Sequence, residues 1–401
     1  MTIILIPILG VLFYGISNVF QSLEENNQMS QLLRLTNMSI KIGNVVHETQ
    51  KERGNSAGYI GSNGDDFGEE LKGQYLLTDT KISELESFMD DEDLSDFGED
   101  LNNSVDSVLV NLGNIKDIRN KVLSNDISYN ATIGYYTDLN ALFLQTISQI
   151  SKVSSNSEIT NLSFAYVNFL QSKELAGIER AILSNTFAKG SYAPGAYNRF
   201  SRLLSSQETY LDVFISSISK EQAGFYKEKM SNETIAEVEN TRAIAISNAT
   251  VFDAMMWIDV DADYWFEIIS AKIDILKEIE DWLSSDILKL ATDLQFEAKT
   301  SLVGNIIIAI LIIAISFALS YVIVQNILKQ IGGDPEEVLA IATSISNGDL
   351  TLSDTDKGKK ASGILGAMRD MSDKLSEIIE ATHRAVDSIA SASVELSSTS
   401  R

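Results

Sequence analysis

Three arginines stand at positions where the helical period of the sequence places apolar residues. Arg53, Arg180 and Arg242 each interrupt a seam whose apolar members recur every three or four positions. A guanidinium stays charged at any reachable pH, and burying it without a partner costs several kcal/mol. Its planar fork of donors matches a planar oxyanion as well as a carboxylate. If the three side chains converge, they form a cationic site for a small anion.

The same pattern has two other interpretations. A core-facing arginine can pair with a carboxylate from a neighbouring helix, or its position can face solvent after all. Two neighbours are weaker candidates for the anion site. Ser56 lies three residues after Arg53 and could donate a hydroxyl hydrogen bond, although helix packing also explains a serine there. Lys173 shares the seam of Arg180, where it could add a cation or extend to solvent.

The composition disfavours most catalytic chemistry. The 401 residues include no cysteine, which excludes a thiolate metal site and a cysteine nucleophile, and only two histidines, His47 and His383. We therefore predict that the chain is not an enzyme and has no catalytic residues, metal ligands or cofactor. The formal net charge of −25 argues against a nucleic-acid partner, which needs a basic surface over the phosphates.

The element pattern predicts an all-α fold. The chain has three prolines, and Pro194 is the single one within residues 21–300. Proline interrupts helix interiors, so its scarcity favours long helices. Clusters of Gly, Asp and Asn, typical of helix ends, mark breaks in this segment at residues 62–68, 89–100, 124–130, 188–197 and 259–263. We predict seven or eight helices between residues 21 and 300.

Two apolar segments predict membrane spans, residues 1–20 and 301–325. The first has no charge over 20 residues, although a cleaved signal peptide is an alternative. The second contains 23 consecutive uncharged residues, 302–324. The chain before residue 301 holds 23 Lys+Arg and 44 Asp+Glu, a net of −21. We therefore expect the acidic residues 21–300 to lie outside the bacterial inner membrane, in the periplasm or outside the cell.

The stretches around the arginines carry recurring motifs. Residues 50–62 read QKERGNSAGYIGS, and residues 173–214 contain ERA, then a Pro-Gly turn, then QETYL. The stretches VENTRAIA and DADYWFEIISAKIDILKEIED follow in order. Together they resemble the nitrate- and nitrite-sensing domains of bacterial receptors, over about residues 30–300. The resemblance implies two stacked four-helix bundles and a nitrate or nitrite pocket lined by Arg53, Arg180 and Arg242.

The chain after the second span resembles a signalling linker. GDPEEV opens a short helix, NGDLT follows it, and a seam with steps of four and three runs from Ile364 to Leu396. Residues 326–378 resemble the HAMP linker of transmembrane receptors, which implies a parallel four-helix coiled coil in a homodimer. Residues 379–401 resemble the start of a methyl-accepting chemotaxis signalling helix. Two unrelated amphipathic helices are the alternative.

These expectations combine into one hypothesis with two rivals. The hypothesis is a homodimeric chemoreceptor in the membrane lipid that senses nitrate or nitrite and signals through HAMP to a cytoplasmic chemotaxis kinase and its adaptor. Those protein partners would act through sequence beyond Arg401. One rival is a receptor of the same architecture for a carboxylate, an amino acid or a binding protein. The other is the sensor half of a membrane histidine kinase or nucleotide cyclase.

Overall fold

The computed structural model describes residues 2–90, 97–153, 156–250, 260–351 and 362–399. Over these ranges the protein is helical and has no strand, which confirms the all-α prediction. The described residues form twelve helices: α1 (Thr2–Gly61), α2 (Gly68–Asp90), α3 (Glu99–Leu112), α4 (Ile115–Leu123), α5 (Tyr129–Val153), α6 (Ser157–Lys189), α7 (Ala196–Ser217), α8 (Lys220–Lys229), α9 (Glu233–Thr250), α10 (Ala262–Ile331), α11 (Pro335–Ser346) and α12 (Gly363–Thr399).

The chain divides into two compact units. One unit consists of residues 22–301, and the other combines residues 1–21 with residues 302–401. The first unit therefore contains parts or all of α1 to α10, which is more helices than the seven or eight predicted. The difference arises at short breaks, such as the two residues Gly113 and Asn114 between α3 and α4, which are shorter than the clusters of Gly, Asp and Asn used to predict helix ends.

Local capping explains several helix ends in this unit. The Asn156 side chain accepts from the backbone N–H of Glu158 at 3.0 Å and so begins α6. Ser219 and Gln222 form a reciprocal capping box at the start of α8. Gly190 ends α6 in the left-handed conformation, with φ of 64°, which a residue without a Cβ adopts at little cost.

Contacts between the helices sort the first unit into two groups, α1–α5 and α6–α10. In the first group, α2, α4 and α5 bond to α1 through Gln74–Glu48, Arg119–Glu52 and Tyr136–Glu52. In the second group, α7 and α9 are hydrogen-bonded to α6 through Gln207–Glu179 and Arg242–Glu179. Helix α8 is hydrogen-bonded to α10 through Gln222–Asp286. If α3 with α4, and α8 with α9, are each counted as one interrupted helix, each group is a four-helix bundle. The groups meet where α1 and α5 contact α6 and α10.

His47 of α1 is buried among cations in this unit. It is 6% exposed, and its Nδ1 has no hydrogen-bond partner. Burial lowers the pKa of His47 far below its ordinary value of 6.5, and the charges of Lys173, Lys277, Lys51 and Arg180 lower it further. The folded protein therefore holds a neutral imidazole through the acidic range in which the unfolded chain takes up a proton.

This difference predicts an acid-sensitive stability. Because the unfolded chain binds the extra proton, the His47 contribution is present above pH 6.5 and lost below it, by about 1.4 kcal/mol per pH unit. Chemical denaturation of His47→Gln between pH 7.5 and 5 should show a shallower loss than the parent. His383→Gln, at an exposed position of α12, is the matched control and should follow the parent. Equal slopes for the parent and His47→Gln would contradict the prediction.

The second unit contains the apolar segments. Among the described residues, one helical stretch is long and apolar enough to cross a membrane; it includes α10 and has an 18-residue window of mean hydropathy 3.0 with none of its residues buried. The predicted span 301–325 lies within this stretch, Ala262–Ser346. The predicted span 1–20 forms the start of α1, where Met1 and the side chains of residues 2–7 lie outside the described part. A methyl group at Gly15 would stand 3.9 Å from Ala309 Cβ, so these two apolar segments are adjacent.

The predicted linker helices are present in this unit. Asp334 caps α11 by accepting from Glu336 N–H at 3.0 Å, Pro335 occupies the first turn, and α11 ends before Gly348, whose φ is 78°. Arg369 of α12 pairs with Glu337 of α11 at 2.9 Å. Most of the connector between them, residues 352–361, lies outside the described residues. The predicted seam of α12 is largely exposed, including Met371, Leu375, Ile378, Ile389 and Leu396.

Candidate functional site

A cavity of about 360 Å³ lies where α1, α5, α6 and α10 meet. Arg53 of α1 and Arg180 of α6 line it together, so the structure brings two of the three predicted arginines to one place. The rest of the lining is mostly small or apolar, with polar residues toward the α1–α2 turn and the start of α10: Gly54, Ala57, Gly58, Gly61, Ser62, Asp66, Phe67, Tyr129, Gly177, Ala181, Ser184, Asn185, Ala188, Lys189, Ala262, Asp263 and Phe266.

Arg53 is neutralised by a carboxylate from the next helix group. Its guanidinium is 1% exposed and forms a two-pronged pair with Glu174 of α6, in which Nη2 donates to Oε2 at 3.2 Å. Nη1 also donates to Thr137 Oγ1 of α5 at 3.0 Å. Glu174 in turn accepts from the side chain of Gln50 at 2.7 Å. The alternative of a carboxylate pair therefore holds for Arg53, although the residue also lines the cavity.

Arg180 is buried without such a neutralising partner. It is 5% exposed, and among the described residues its guanidinium forms no ion pair with a carboxylate. Nη1 donates to Ser270 Oγ at 2.9 Å, and Nη2 donates to the Gln50 backbone oxygen at 3.2 Å. Its face lies over the ring of Phe266, with Cζ 5.0 Å from the ring centroid. Neutral acceptors occupy part of the donor fork, and the carboxylates that attract the charge, Asp274 and Glu174, form no ion pair with it.

The surroundings of Arg180 are reflected in its acid–base equilibrium. Burial, and secondarily the charge of Arg53, lower the pKa of Arg180 to about 10. At neutral pH the group is still protonated. The cavity lining also contains Asp66, Asp263 and Lys189, and the buried set of Arg53, Arg180 and Glu174 holds two guanidiniums and one carboxylate. One positive charge therefore remains in this set, and a monovalent anion beside Arg180 would balance it.

Two glycines make the approach of the arginines possible. A methyl group on Gly177 of α6 would stand 2.7 Å from Arg53 Nη2. A methyl group on Gly54 of α1 would stand 2.9 Å from Arg180 Cζ. Each helix thus offers bare backbone where the arginine of the other helix crosses it, and a Cβ at either position would push a guanidinium aside.

Arg242 lies outside this cavity, and the prediction that three arginines converge is wrong in this respect. Its Nε and Nη2 both donate to Glu179 at 2.5 Å, and Nη1 donates to Glu239 at 2.6 Å. Gln207 of α7 accepts a further bond at 3.2 Å. A guanidinium that meets two carboxylates has no net charge left for an anion, so the ion-pair alternative describes Arg242.

The two weaker candidates also lie away from the cavity lining. Ser56 is fully buried next to Tyr75 and Tyr136, on another side of α1. Lys173 neither reaches solvent nor adds a cation to the cavity; it is 1% exposed and donates to Glu280 Oε2 of α10 at 2.5 Å. Its ammonium is therefore already committed to a buried ion pair.

Sequence reasoning missed the carboxylates that decide these outcomes. Glu174 and Glu179 of α6 are 5% and 0% exposed and hold Arg53 and Arg242, respectively. Their positions carried a signal, because an acidic residue that falls on the apolar seam of a helix needs a buried partner. Phe266, which covers Arg180, lies inside a quoted motif but had no role assigned to it.

Comparison with known proteins identifies one matching family and two similar proteins. A family model described as nitrate and nitrite sensing matches residues 44–288. The nitrate regulatory protein of Klebsiella oxytoca is 22% identical over 275 residues, and the match spans 67% of this chain and 66% of that protein, slightly less than two thirds of its length. The structure of the NasR transcription antiterminator superposes with a TM-score of 0.62 at 20% identity, over 90% of this chain and 96% of that one. At this identity the likeness shows a shared fold.

Proposed function

Because this chain belongs to the nitrate and nitrite sensing family, we propose that its cavity at Arg53 and Arg180 binds nitrate or nitrite. The observation that carries this proposal is Arg180, a buried guanidinium that no carboxylate neutralises among the described residues. Leaving a charge in that state is costly, and a bound anion removes the cost. The family establishes oxyanion sensing as the general role, and the cavity supplies a specific location for it.

The shape and charge of the cavity suit a small planar monoanion. Nitrate and nitrite present oxygens in one plane, and guanidinium forks donate most strongly to such oxygens. Arg180 retains donors next to those of Arg53, and the set of Arg53, Arg180 and Glu174 carries one net positive charge. One monoanion neutralises this set, whereas a dianion would leave an excess negative charge in a buried place.

Titration calorimetry of the purified full chain tests this proposal. We expect saturable heat from sodium nitrate or sodium nitrite and none from sodium chloride at the same ionic strength. The chloride titration controls for sodium and for unspecific screening of the acidic protein. Absence of heat with both nitrate and nitrite would overturn the assignment of the ligand.

The second part of the proposal concerns the membrane. We propose that residues 301–325 cross the inner membrane, that residues 1–20 form a second span beside them, and that residues 21–300 lie on the periplasmic or extracellular side. The support is an exposed segment of mean hydropathy 3.0 and the close contact of Gly15 with Ala309. An exposed apolar surface of this kind is favourable in lipid and unfavourable in water.

The third part of the proposal concerns α11 and α12, which would transmit the signal. We propose that α11 and α12 form a HAMP linker that pairs with a second copy of the chain. The capped start of α11, the Arg369–Glu337 pair and the exposed apolar seam of α12 support this arrangement. Anion binding would shift the equilibrium between helix arrangements according to its different affinity for each. The receiving protein would be a chemotaxis kinase with its adaptor, and the described chain itself would not be an enzyme.

Other outputs define the second candidate function. One relative is a transcription antiterminator, so a nitrate-controlled regulator of transcription is an alternative to a chemoreceptor. The exposed apolar segment of α10 favours the membrane receptor, and the net charge of −25 disfavours a nucleic-acid partner. A histidine kinase or nucleotide cyclase output would use the same sensor and linker.

A further inference from the structure

We infer that Phe67 and Phe266 form an apolar wall that makes the anion cavity select weakly hydrated monoanions over dianions such as sulfate. This inference rests on the proposed function and adds a determinant of ligand specificity. Neither phenylalanine can donate a hydrogen bond, so their contribution acts through the removal of water. Both rings lie on the cavity, the backbone of Phe67 is unusual, and the rings stand next to the charge of Arg180.

The two rings enclose one side of the cavity next to Arg180. Both residues belong to the lining, and their ring centroids lie 5.6 Å apart at an interplanar angle of 69°. Phe266 lies 5.0 Å from Arg180 Cζ on one side. Phe67 lies against the backbone of α1 at Gly58, where a methyl group would stand 2.6 Å from its ring. The rings therefore bridge α10 and α1 across the cavity.

The backbone of Phe67 shows that this placement is maintained against a conformational cost. Phe67 has φ of 67°, in the left-handed region that bulky residues seldom adopt. Such a conformation persists where the surrounding contacts require it, and it is concentrated at ligand-binding places. The contacts of the ring with Gly58 and Phe266 are the ones that require it here. Replacement of Phe67 by glycine would remove this conformational cost, but it would also remove one of the two rings of the apolar wall.

An apolar wall discriminates between anions by charge. An anion that reaches Arg180 must exchange most of its water for protein donors, and the wall offers none in return. The free energy of removing an ion from water grows with the square of its charge, so a dianion loses far more hydration than a monoanion of similar size. The set of Arg53, Arg180 and Glu174 carries one net positive charge, and Asp66 and Asp263 also line the cavity, so the dianion does not regain this loss.

Calorimetry on variants of the full chain tests the inference, with nitrate and sulfate as probes. Phe67→Gly keeps the left-handed backbone and removes the ring. We expect the ratio of nitrate affinity to sulfate affinity to fall about tenfold or more, because water enters and weakens the discrimination. Asn63→Gly is the matched control: it lies in the same turn with φ of 58°, but it does not line the cavity. Its ratio should equal that of the parent.

Phe266→Ala provides a second, helical position in case Phe67→Gly does not fold. It should lower the same ratio, and circular dichroism reports whether each variant is folded. A parent protein that binds nitrate while both folded variants keep the parental ratio would overturn this inference and leave the proposed function intact. A parent protein that binds neither nitrate nor nitrite would instead overturn the proposed function.

Discussion

Replacement of Arg180 by methionine should abolish nitrate binding without destabilising the protein. Arg180 supplies the uncompensated charge of the cavity, and each charge-assisted hydrogen bond that it would make to nitrate contributes about 1.5–3 kcal/mol. Two such bonds correspond to a loss of affinity of at least about 100-fold. The free energy of unfolding should stay the same or rise, since the variant no longer buries a charge that lacks a carboxylate partner.

Arg53→Met is the matched comparison for this first prediction. It removes the partner of Glu174, which is 5% exposed and would be left as an unpaired buried carboxylate. This variant should therefore lose about 3–5 kcal/mol of stability together with nitrate affinity. Calorimetry and chemical denaturation separate the two cases. Nitrate affinity within tenfold of the parent in Arg180→Met, or a stability loss as large as that of Arg53→Met, would contradict the assignment of the two arginines.

Arg242→Met should have the opposite pattern, a large loss of stability with nitrate affinity retained in the protein that remains folded. Glu179 is fully buried and accepts two bonds from Arg242 at 2.5 Å. Truncating one member of a buried ion pair costs about 3–5 kcal/mol, because the remaining charge has no partner. Lys272 forms its ion pair with Glu239, at 3.6 Å, rather than with Glu179.

A double variant separates the ion pair from other effects of Arg242. In Arg242→Met combined with Glu179→Gln, the glutamine remains within reach of Gln207 and carries no charge, so most of the stability should return. Arg199→Met, at an exposed arginine of α7, should change the free energy of unfolding by less than about 0.5 kcal/mol. If Arg242→Met keeps full stability and loses nitrate binding, Arg242 belongs to the ligand site after all.

The sequence indicated that three arginines are buried but not how they are paired, and it did not identify Arg119, which is 6% exposed. All three lie on apolar seams, and all three are at most 9% exposed. Pairing depends on the direction in which each side chain leaves its helix. Glu179 and Arg180 are consecutive, so they point about 100° apart around α6. One consequently faces Arg242 of α9, and the other faces α1 and α10.

The same distinction applies to the elements. The start of α11 at Asp334 and Pro335 and its end before Gly348 were predictable, because capping involves groups a few residues apart in the chain. The breaks between α3 and α4 and between α8 and α9 were missed, because these turns are only two and three residues long. The position of the cavity depends on four helices that are distant in sequence.

The sequence by itself determined the helical class, the burial of the three arginines, the apolar segments and the ends of the well-capped helices. These properties depend on periodicity, charge and composition, which act over a few residues. The tertiary structure alone decided that Glu174 and Glu179 neutralise Arg53 and Arg242, and that Arg180 keeps its charge beside Phe266. The physical reason is that a buried charge is compensated by whichever helix faces it, and that choice is made by packing between distant parts of the chain.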